Sequence, residues 1–313
     1  MAVLILAEID PTDPWFAQLI ANLKNRKADL DLRVWPECGK PEEIEIVLAW
    51  LPPLGVMQTF PNLTLIISLG ASVDRILVDP DLPNHIPIVR LVSEGKTWQM
   101  AEYVTLAVLL FQRRFIEYQA LQRSRRWKYL PVLDARVFTV GILGLGVLGL
   151  TVTKKLAAIG FAVRGWSRTP KAIAGVECFH GREQFKLFLR KCQAILCLLP
   201  LTPETEGILC HDTFSALPTG AYLINVGRGK HLVEADLLSA LDSGQIAGAC
   251  LDVFDTEPLP NDHPFWSHPH IIVTPHMAAP GMPEEVADPI LNTINCSREG
   301  RPLEYVIDRN HGY

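Results

Sequence analysis

Six consecutive residues, Gly144-Leu145-Gly146-Val147-Leu148-Gly149, constrain this chain more than any others. They follow an apolar stretch, Phe138 to Leu143, that reads as a strand. They open a segment running through Lys154, Lys155, Leu156 and Ala157 that reads as a helix. In that setting Gly144 permits a tight turn, Gly146 lets backbone approach a pyrophosphate without a Cβ, and Gly149 lets the helix sit close on a sheet. The helix N-terminus adds unpaired N–H groups and a positive dipole end, which suit phosphate oxygens. The six residues are therefore expected to bind a dinucleotide. The plainer alternative is a glycine-rich turn between a buried strand and a helix.

The strand after the motif ends Gly165-Trp166-Ser167-Arg168-Thr169-Pro170-Lys171. An NAD site usually carries an acidic residue here, about 20 residues past the glycines, for the ribose 2′-hydroxyl. No carboxylate is present. Ser167, Arg168 and Lys171 supply a hydroxyl and two cations, the chemistry that a 2′-phosphate needs and an Asp repels. The expected cofactor is NADPH, with NADH less favoured; the alternative is that Arg168 and Lys171 are solvated loop charges.

Further strand candidates in this half are Ala162 to Trp166, Ala194 to Leu199, Tyr222 to Asn225, Gly248 to Val253 and Ile271 to Thr274. With Phe138 to Leu143 they make the six strands of a doubly wound domain. An earlier alternation covers Ala2 to Ala7, Leu30 to Trp35, Ile44 to Ala49, Leu63 to Leu69 and Ile86 to Leu91. A helix fits Pro14 to Lys27, with Trp15, Leu19, Ile20 and Leu23 at helical spacing and Asp13 as its cap. Lys96 to Arg125 contains neither Gly nor Pro and reads as one long helix. The chain has 313 residues, enough for about two domains at roughly 150 each.

A net charge of −5 gives no field that would gather nucleic acid or anionic lipid, so neither is an expected partner. Seven scattered cysteines without a Cys-x-x-Cys pair read as reduced, mostly core thiols. Met1 to Leu6 meets Glu8 and Asp10 without a basic leader, which argues against a signal peptide. The longest uncharged run, Val137 to Thr153, carries the glycine motif and is marginal for a membrane span. The expected compartment is the cytoplasm.

Three later segments carry the remaining chemistry: Asn225-Val226-Gly227-Arg228-Gly229, Leu251-Asp252-Val253-Phe254-Asp255-Thr256-Glu257-Pro258-Leu259 and Thr274-Pro275-His276-Met277-Ala278-Ala279. Each ends an expected strand, on the side where open α/β sheets gather ligand-facing residues. With the glycine motif they resemble the D-2-hydroxyacid dehydrogenase family. Trp166-Ser167-Arg168-Thr169, Leu199-Pro200-Leu201-Thr202-Pro203-Glu204-Thr205 and the terminal Asp308-Arg309-Asn310-His311-Gly312-Tyr313 resemble the branch that reduces glyoxylate and hydroxypyruvate.

The resemblance implies two doubly wound parallel-sheet α/β domains flanking a cleft. One is a discontinuous flavodoxin-like substrate domain, 1–97 plus 279–313; the other is an inserted Rossmann cofactor domain, 98–278. It assigns Arg228 to the substrate carboxylate and keto oxygen, His276 to proton donation and Glu257 to holding the imidazole. Leu199, Pro200, Val226 and Asp252 would lie along the cofactor, Asp252 at its nicotinamide end. Ser68-Leu69-Gly70-Ala71-Ser72-Val73-Asp74 resembles the family's carboxylate-binding loop, with Ser72 in place of a second glycine, making Gly70, Ala71 and Ser72 substrate-binding. Gly281 and Met282 replace a more polar stretch. A small 2-keto acid substrate and a homodimer are also implied.

Reduction of a 2-keto acid to glycolate or glycerate needs a hydride donor, a proton donor active near neutral pH and a cation for a carboxylate, and these residues supply all three. Singly, His276 can be an ordinary histidine, Arg228 a turn cap and Glu257 a surface carboxylate. Branches acting on phosphoglycerate or formate, and corepressor-like nucleotide sensors of the same fold, are the alternatives. His263, His268 and His270 lack a matching carboxylate or thiolate spacing, and no metal is expected. Trp50, Trp98 and Trp127 read as core residues, with cleft lining as the alternative. Arg123, Arg125, Arg126 and Lys128 read as a solvated helix end.

Overall fold

The computed structural model describes residues 2–7, 13–70 and 73–309, and all five residues of its first strand, β1 (Ala2–Leu6), are buried. A run of Ala-Val-Leu-Ile-Leu has no polar face, as a strand covered on both sides requires. In α1 (Pro14–Arg26), Asp13 caps the first turn by accepting from the Trp15 N–H at 2.8 Å, and Lys24 and Arg26 close the last turn. The chain continues through β2 (Leu32–Val34), β3 (Ile44–Ala49), β4 (Leu65–Ser68), α2 (Asp74–Leu77) and β5 (Ile88–Arg90). All five strands run parallel in the order β2-β1-β3-β4-β5, the flavodoxin-like arrangement.

Lys96 to Arg125 is not one helix. It divides into α3 (Glu94–Gln112) and α4 (Phe115–Arg123), because Arg114 takes a left-handed conformation at φ 58° and interrupts the hydrogen-bond ladder. The Arg114 guanidinium secures the turn on Glu117 at 3.0 Å. The sequence holds no Gly or Pro at the break, so composition does not mark it.

Seven parallel strands follow: β6 (Thr139–Leu143), β7 (Ala162–Ser167), β8 (Glu177–His180), β9 (Ala194–Cys197), β10 (Ala221–Asn225), β11 (Ile246–Leu251) and β12 (Ile271–Val273). Helices α5 (Val147–Ala158), α6 (Gly181–Leu189), α7 (His211–Ser215) and α8 (Glu234–Asp242) connect them. The order β12-β11-β10-β9-β6-β7-β8 reverses between β6 and β9, where ligands of open α/β sheets bind. β8 is a strand beyond the six expected; as an edge strand with only Phe179 buried, it has the polar composition of a loop. The last helix, α9 (Pro283–Arg298), shares a core with α1, its Val286, Ile290 and Ile294 packing with Phe16, Leu19 and Leu23.

The chain splits into two compact units, Met1–Lys96 with Gly281–Tyr313, and Thr97–Pro280. Trp50, Trp98 and Trp127 are not core residues: they are 38, 45 and 105 % exposed. The Trp98 ring is covered by the Lys155 ammonium, 4.9 Å from its centre, and Trp127 lies in an extended segment outside any helix or strand. All seven cysteines are free, and Cys192, Cys197, Cys250 and Cys296 are buried. No helix among the described residues is long and apolar enough to cross a membrane.

Candidate active site

At the sheet reversal the three glycines meet three different surroundings. Gly144 has φ +102°, and a Cβ there would stand 2.8 Å from the Leu198 carbonyl oxygen. A Cβ on Gly149 would collide with the Gly144 carbonyl, so its absence lets α5 close onto the strand. Gly146 is the opposite case, with nothing within 4 Å of where its Cβ would lie. No side chain caps α5, and its first turn holds no carboxylate. The turn thus presents open backbone and free helix donors, a cradle that fits a pyrophosphate. Of the other motif residues, Leu145 is buried and fills the space over Gly165, while Val147 is exposed.

At the end of β7, Ser167 is buried and its hydroxyl donates to the Thr169 carbonyl at 2.8 Å, shaping the turn. Arg168 and Lys171 are exposed beyond it. The Thr202 hydroxyl above all, with Arg168 and Arg182 adding positive charge, holds the Glu204 carboxyl below its ordinary value. Glu204 in the loop after β9 is therefore within electrostatic reach of Arg168. In that loop Leu199 is buried, and the Thr205 hydroxyl closes a turn on the Pro200 carbonyl at 2.7 Å.

The loop after β10 is built by two buried side chains. Asn225 accepts from the Gly227 N–H at 3.2 Å and donates to the Arg228 carbonyl at 3.1 Å. His231, fully buried, accepts the Arg228 N–H on Nδ1 at 3.0 Å, leaving Nε2 to donate to the Pro200 carbonyl at 3.2 Å. Val226 is buried between them in sequence, and the Arg228 guanidinium donates to the Gly227 carbonyl at 2.7 Å. A Cβ on Gly229 would collide with the Phe254 backbone, so this loop is pressed against the segment that carries Glu257.

Glu257 and His276 meet there: Oε2 of the carboxylate is 2.9 Å from Nδ1 of the ring, and Oε1 accepts the Phe254 N–H at 3.0 Å. Burial acts to raise the Glu257 carboxyl, but the His276 hydrogen bond, the Phe254 N–H and the charges of His276 and Arg228 outweigh it and hold the group below its ordinary value. An ionised carboxylate only accepts, so Nδ1 carries a proton and Nε2 is the nitrogen left to act. The His276 side chain is about half exposed.

His276 sits at φ 52°, a strained conformation for a residue with a side chain. Asp252, 1 % exposed, holds it there. Its Oδ1 accepts from the Thr274 hydroxyl at 2.6 Å and the Met277 N–H at 2.9 Å, its Oδ2 accepts the Ala278 N–H at 2.9 Å, and its carbonyl accepts the His276 N–H at 2.8 Å. The Tyr103 hydroxyl, kept protonated by burial, lies 2.6 Å from the Thr274 hydroxyl and extends the chain of bonds.

The second unit therefore brings Arg228, Glu257 and His276 to neighbouring loops. Sequence reasoning missed His231, Asn225, Thr274 and Tyr103, which position them. His231 is signalled only by lying three residues past Arg228; Tyr103 carries no local signal. In the first unit, the Ser68 hydroxyl donates to the Gly70 carbonyl at 3.3 Å, and Ala71 and Ser72 lie outside the described residues. Of the three other histidines considered, His263 lies 3.1 Å from Glu234 and stacks edge-on against Phe265.

Residues 105–278 match the family model described as D-isomer specific 2-hydroxyacid dehydrogenase, NAD binding domain. Among curated proteins the chain is similar to a glyoxylate/hydroxypyruvate reductase A from Yersinia enterocolitica, 43% identical over 301 residues that cover 95% of this chain and 96% of that protein. A namesake from Serratia proteamaculans is 45% identical, covering 94% and 95%. Among solved structures it is similar to a D-isomer specific 2-hydroxyacid dehydrogenase from Xanthobacter autotrophicus Py2 in complex with NADPH and MES, with a TM-score of 0.93, 40% identity and coverage of 100% and 99%. An NADPH-dependent glyoxylate/hydroxypyruvate reductase from Sinorhizobium meliloti in complex with NADP and sulfate gives a TM-score of 0.92 at 35% identity, covering 100% and 99%. A family model over more than half the chain, and relatives matched along nearly all of it, agree with the parallel sheets and the glycine turn: this chain belongs to the D-isomer specific 2-hydroxyacid dehydrogenase family.

Proposed function

We propose that this chain is an NADPH-dependent reductase of small 2-keto acids, converting glyoxylate to glycolate or hydroxypyruvate to glycerate. The observation that carries the reading is the 2.9 Å pair of His276 and Glu257, with the Arg228 charge bearing on the same carboxylate. When bound, the nicotinamide supplies the hydride. Gly144 to Gly149 and the first turn of α5 hold the pyrophosphate, Leu199, Pro200 and Val226 line its path, and Arg168 and Lys171 meet the 2′-phosphate. The NADPH and NADP complexes of the relatives from Xanthobacter and Sinorhizobium support that choice.

Arg228 anchors the substrate carboxylate and draws negative charge onto the keto oxygen. His276 gives that oxygen a proton from Nε2. Glu257 fixes the orientation of the ring through Nδ1. Gly70, Ala71 and Ser72 are assigned to the substrate carboxylate. Asp252 acts first on the His276 loop, and its place at the nicotinamide end is part of this proposal. The discriminating experiment is oxidation of NADPH and NADH against a panel of small 2-keto acids, with formate as an oxidation substrate. Turnover of glyoxylate and hydroxypyruvate with NADPH supports the reading; turnover of formate, or none at all, overturns it.

A homodimer is part of the same reading. Leu106, Leu109, Phe115, Trp127, Leu133 and Val137 are exposed along α3, α4 and the segment beyond, apolar side chains of the kind a second copy would cover. Light scattering should give twice the chain mass. The free cysteines support a cytoplasmic setting.

A further inference from the structure

Lys96 is 5 % exposed, yet among the described residues it makes no ion pair. Its ammonium donates to one acceptor, the Leu69 carbonyl, at 2.6 Å. An ammonium has three donors, so two remain. Buried charges in folded proteins are otherwise paired or bound to a ligand, because desolvation without compensation is costly. Burial pushes Lys96 down to about 8, with no opposing contribution from a carboxylate, so it is still mainly charged at pH 7. Among the described residues the structure buries a cation and provides no anion for it.

The seat of this side chain is constructed. Gly281 lies against its stem at φ +79°, and a Cβ there would stand 2.6 Å from Lys96 Cε and 3.0 Å from Cγ. The Gly281 carbonyl is itself held by the Trp15 indole N–H at 3.0 Å. The departure of Gly281 from a polar stretch thus has a physical counterpart, since the room it leaves is filled by Lys96. The tip of the side chain reaches Leu69, immediately before Gly70, where the substrate loop begins.

We propose that Lys96 is a substrate-binding residue, a cation that holds the carboxylate of a small 2-keto acid beside Gly70. This rests on the reading of the chain as a 2-keto acid reductase. A compact ammonium in a water-poor site makes a short, charge-assisted bond to a carboxylate oxygen, and it contributes mainly to affinity.

The test uses the full chain, glyoxylate as substrate and oxalate as a non-reducible probe. Lys96→Met should raise KM for glyoxylate and weaken oxalate binding in calorimetry at least tenfold, with kcat changed less than threefold and NADPH affinity within twofold; Lys96→Arg should restore much of the oxalate affinity. Unchanged KM and oxalate affinity in folded K96M overturn the proposal. If the wild type reduces neither keto acid but binds oxalate tenfold more tightly than K96M, the anion site stands and the substrate reading falls. Should K96M not fold, the wild type alone decides. The other charged side chains on the surrounding elements are Glu94 and Glu102 on α3, Asp74 and Arg75 on α2, and Glu284, Glu285, Asp288 and Arg298 on α9, carboxylates and guanidinium groups whose ordinary values lie outside the range of pH 7 to about 9.5. Oxalate affinity should therefore fall at least tenfold between pH 7 and about 9.5 as Lys96 deprotonates; constant affinity over that range overturns the proposal.

Discussion

Nδ1 of His276 lies 2.9 Å from Oε2 of Glu257, so the ring nitrogen that faces a carboxylate and the one left to work are already distinguished. Glu257 is held below its ordinary value by His276, Phe254 and Arg228 against the opposing effect of burial, and so is ionised throughout the neutral range. Glu257→Gln should lower kcat by about 10²-fold or more, because the ring loses the carboxylate that fixes its orientation and its Nδ1 proton. Steady-state rates with glyoxylate check it. As a depressed carboxyl, Glu257 contributes stability above its unfolded value, and that contribution is lost as pH falls through the folded value.

Asp252 is the strut under His276. Asp252→Ala leaves the Met277 and Ala278 N–H groups and the Thr274 hydroxyl without their acceptor, at about 2–4 kcal/mol of stability. Urea unfolding should show this loss, and kcat should fall with it, since the side-chain bonds that brace the φ 52° conformation are gone.

Arg168 stands where an acidic residue would select NAD. Arg168→Asp should lower kcat/KM for NADPH at least tenfold while sparing NADH, because a carboxylate repels the 2′-phosphate. Steady-state rates with both cofactors measure the ratio; an unchanged ratio removes the clamp.

Lys96 also makes a stability prediction with a definite sign. Its amine is pushed from 10.5 to about 8 in the fold, so between those values the unfolded chain binds more protons and stability rises with pH. Lys96→Met should accordingly be more stable than the wild type at pH 7, by about 1–3 kcal/mol after loss of the Leu69 bond, and the gap should close toward pH 10. Thermal melts at several pH values show whether it does.

The sheets were legible because parallel strands buried on both faces read as unbroken apolar runs, as β1 does, and the glycine turn because its spacing is a steric requirement. The break at Arg114 and the edge strand β8 were not, since an arginine in a left-handed turn and a strand of Glu-Cys-Phe-His carry no compositional mark. In the candidate site, Arg228, Glu257 and His276 were visible from their motifs. Their supports were not: His231, Tyr103 and Thr274 act through contacts that only the folded chain creates, and the Asp252 carboxylate turns out to be engaged by the His276 loop. The three tryptophans expected inside are exposed because their neighbours, not their hydrophobicity, decide their place.

The central claim is that His276 delivers the proton. Single-turnover oxidation of bound NADPH by glyoxylate, in wild type and His276→Ala, tests it most directly. The account predicts a rate about 10²- to 10⁴-fold slower in the variant with NADPH affinity unchanged; a rate within a few-fold of wild type would contradict it.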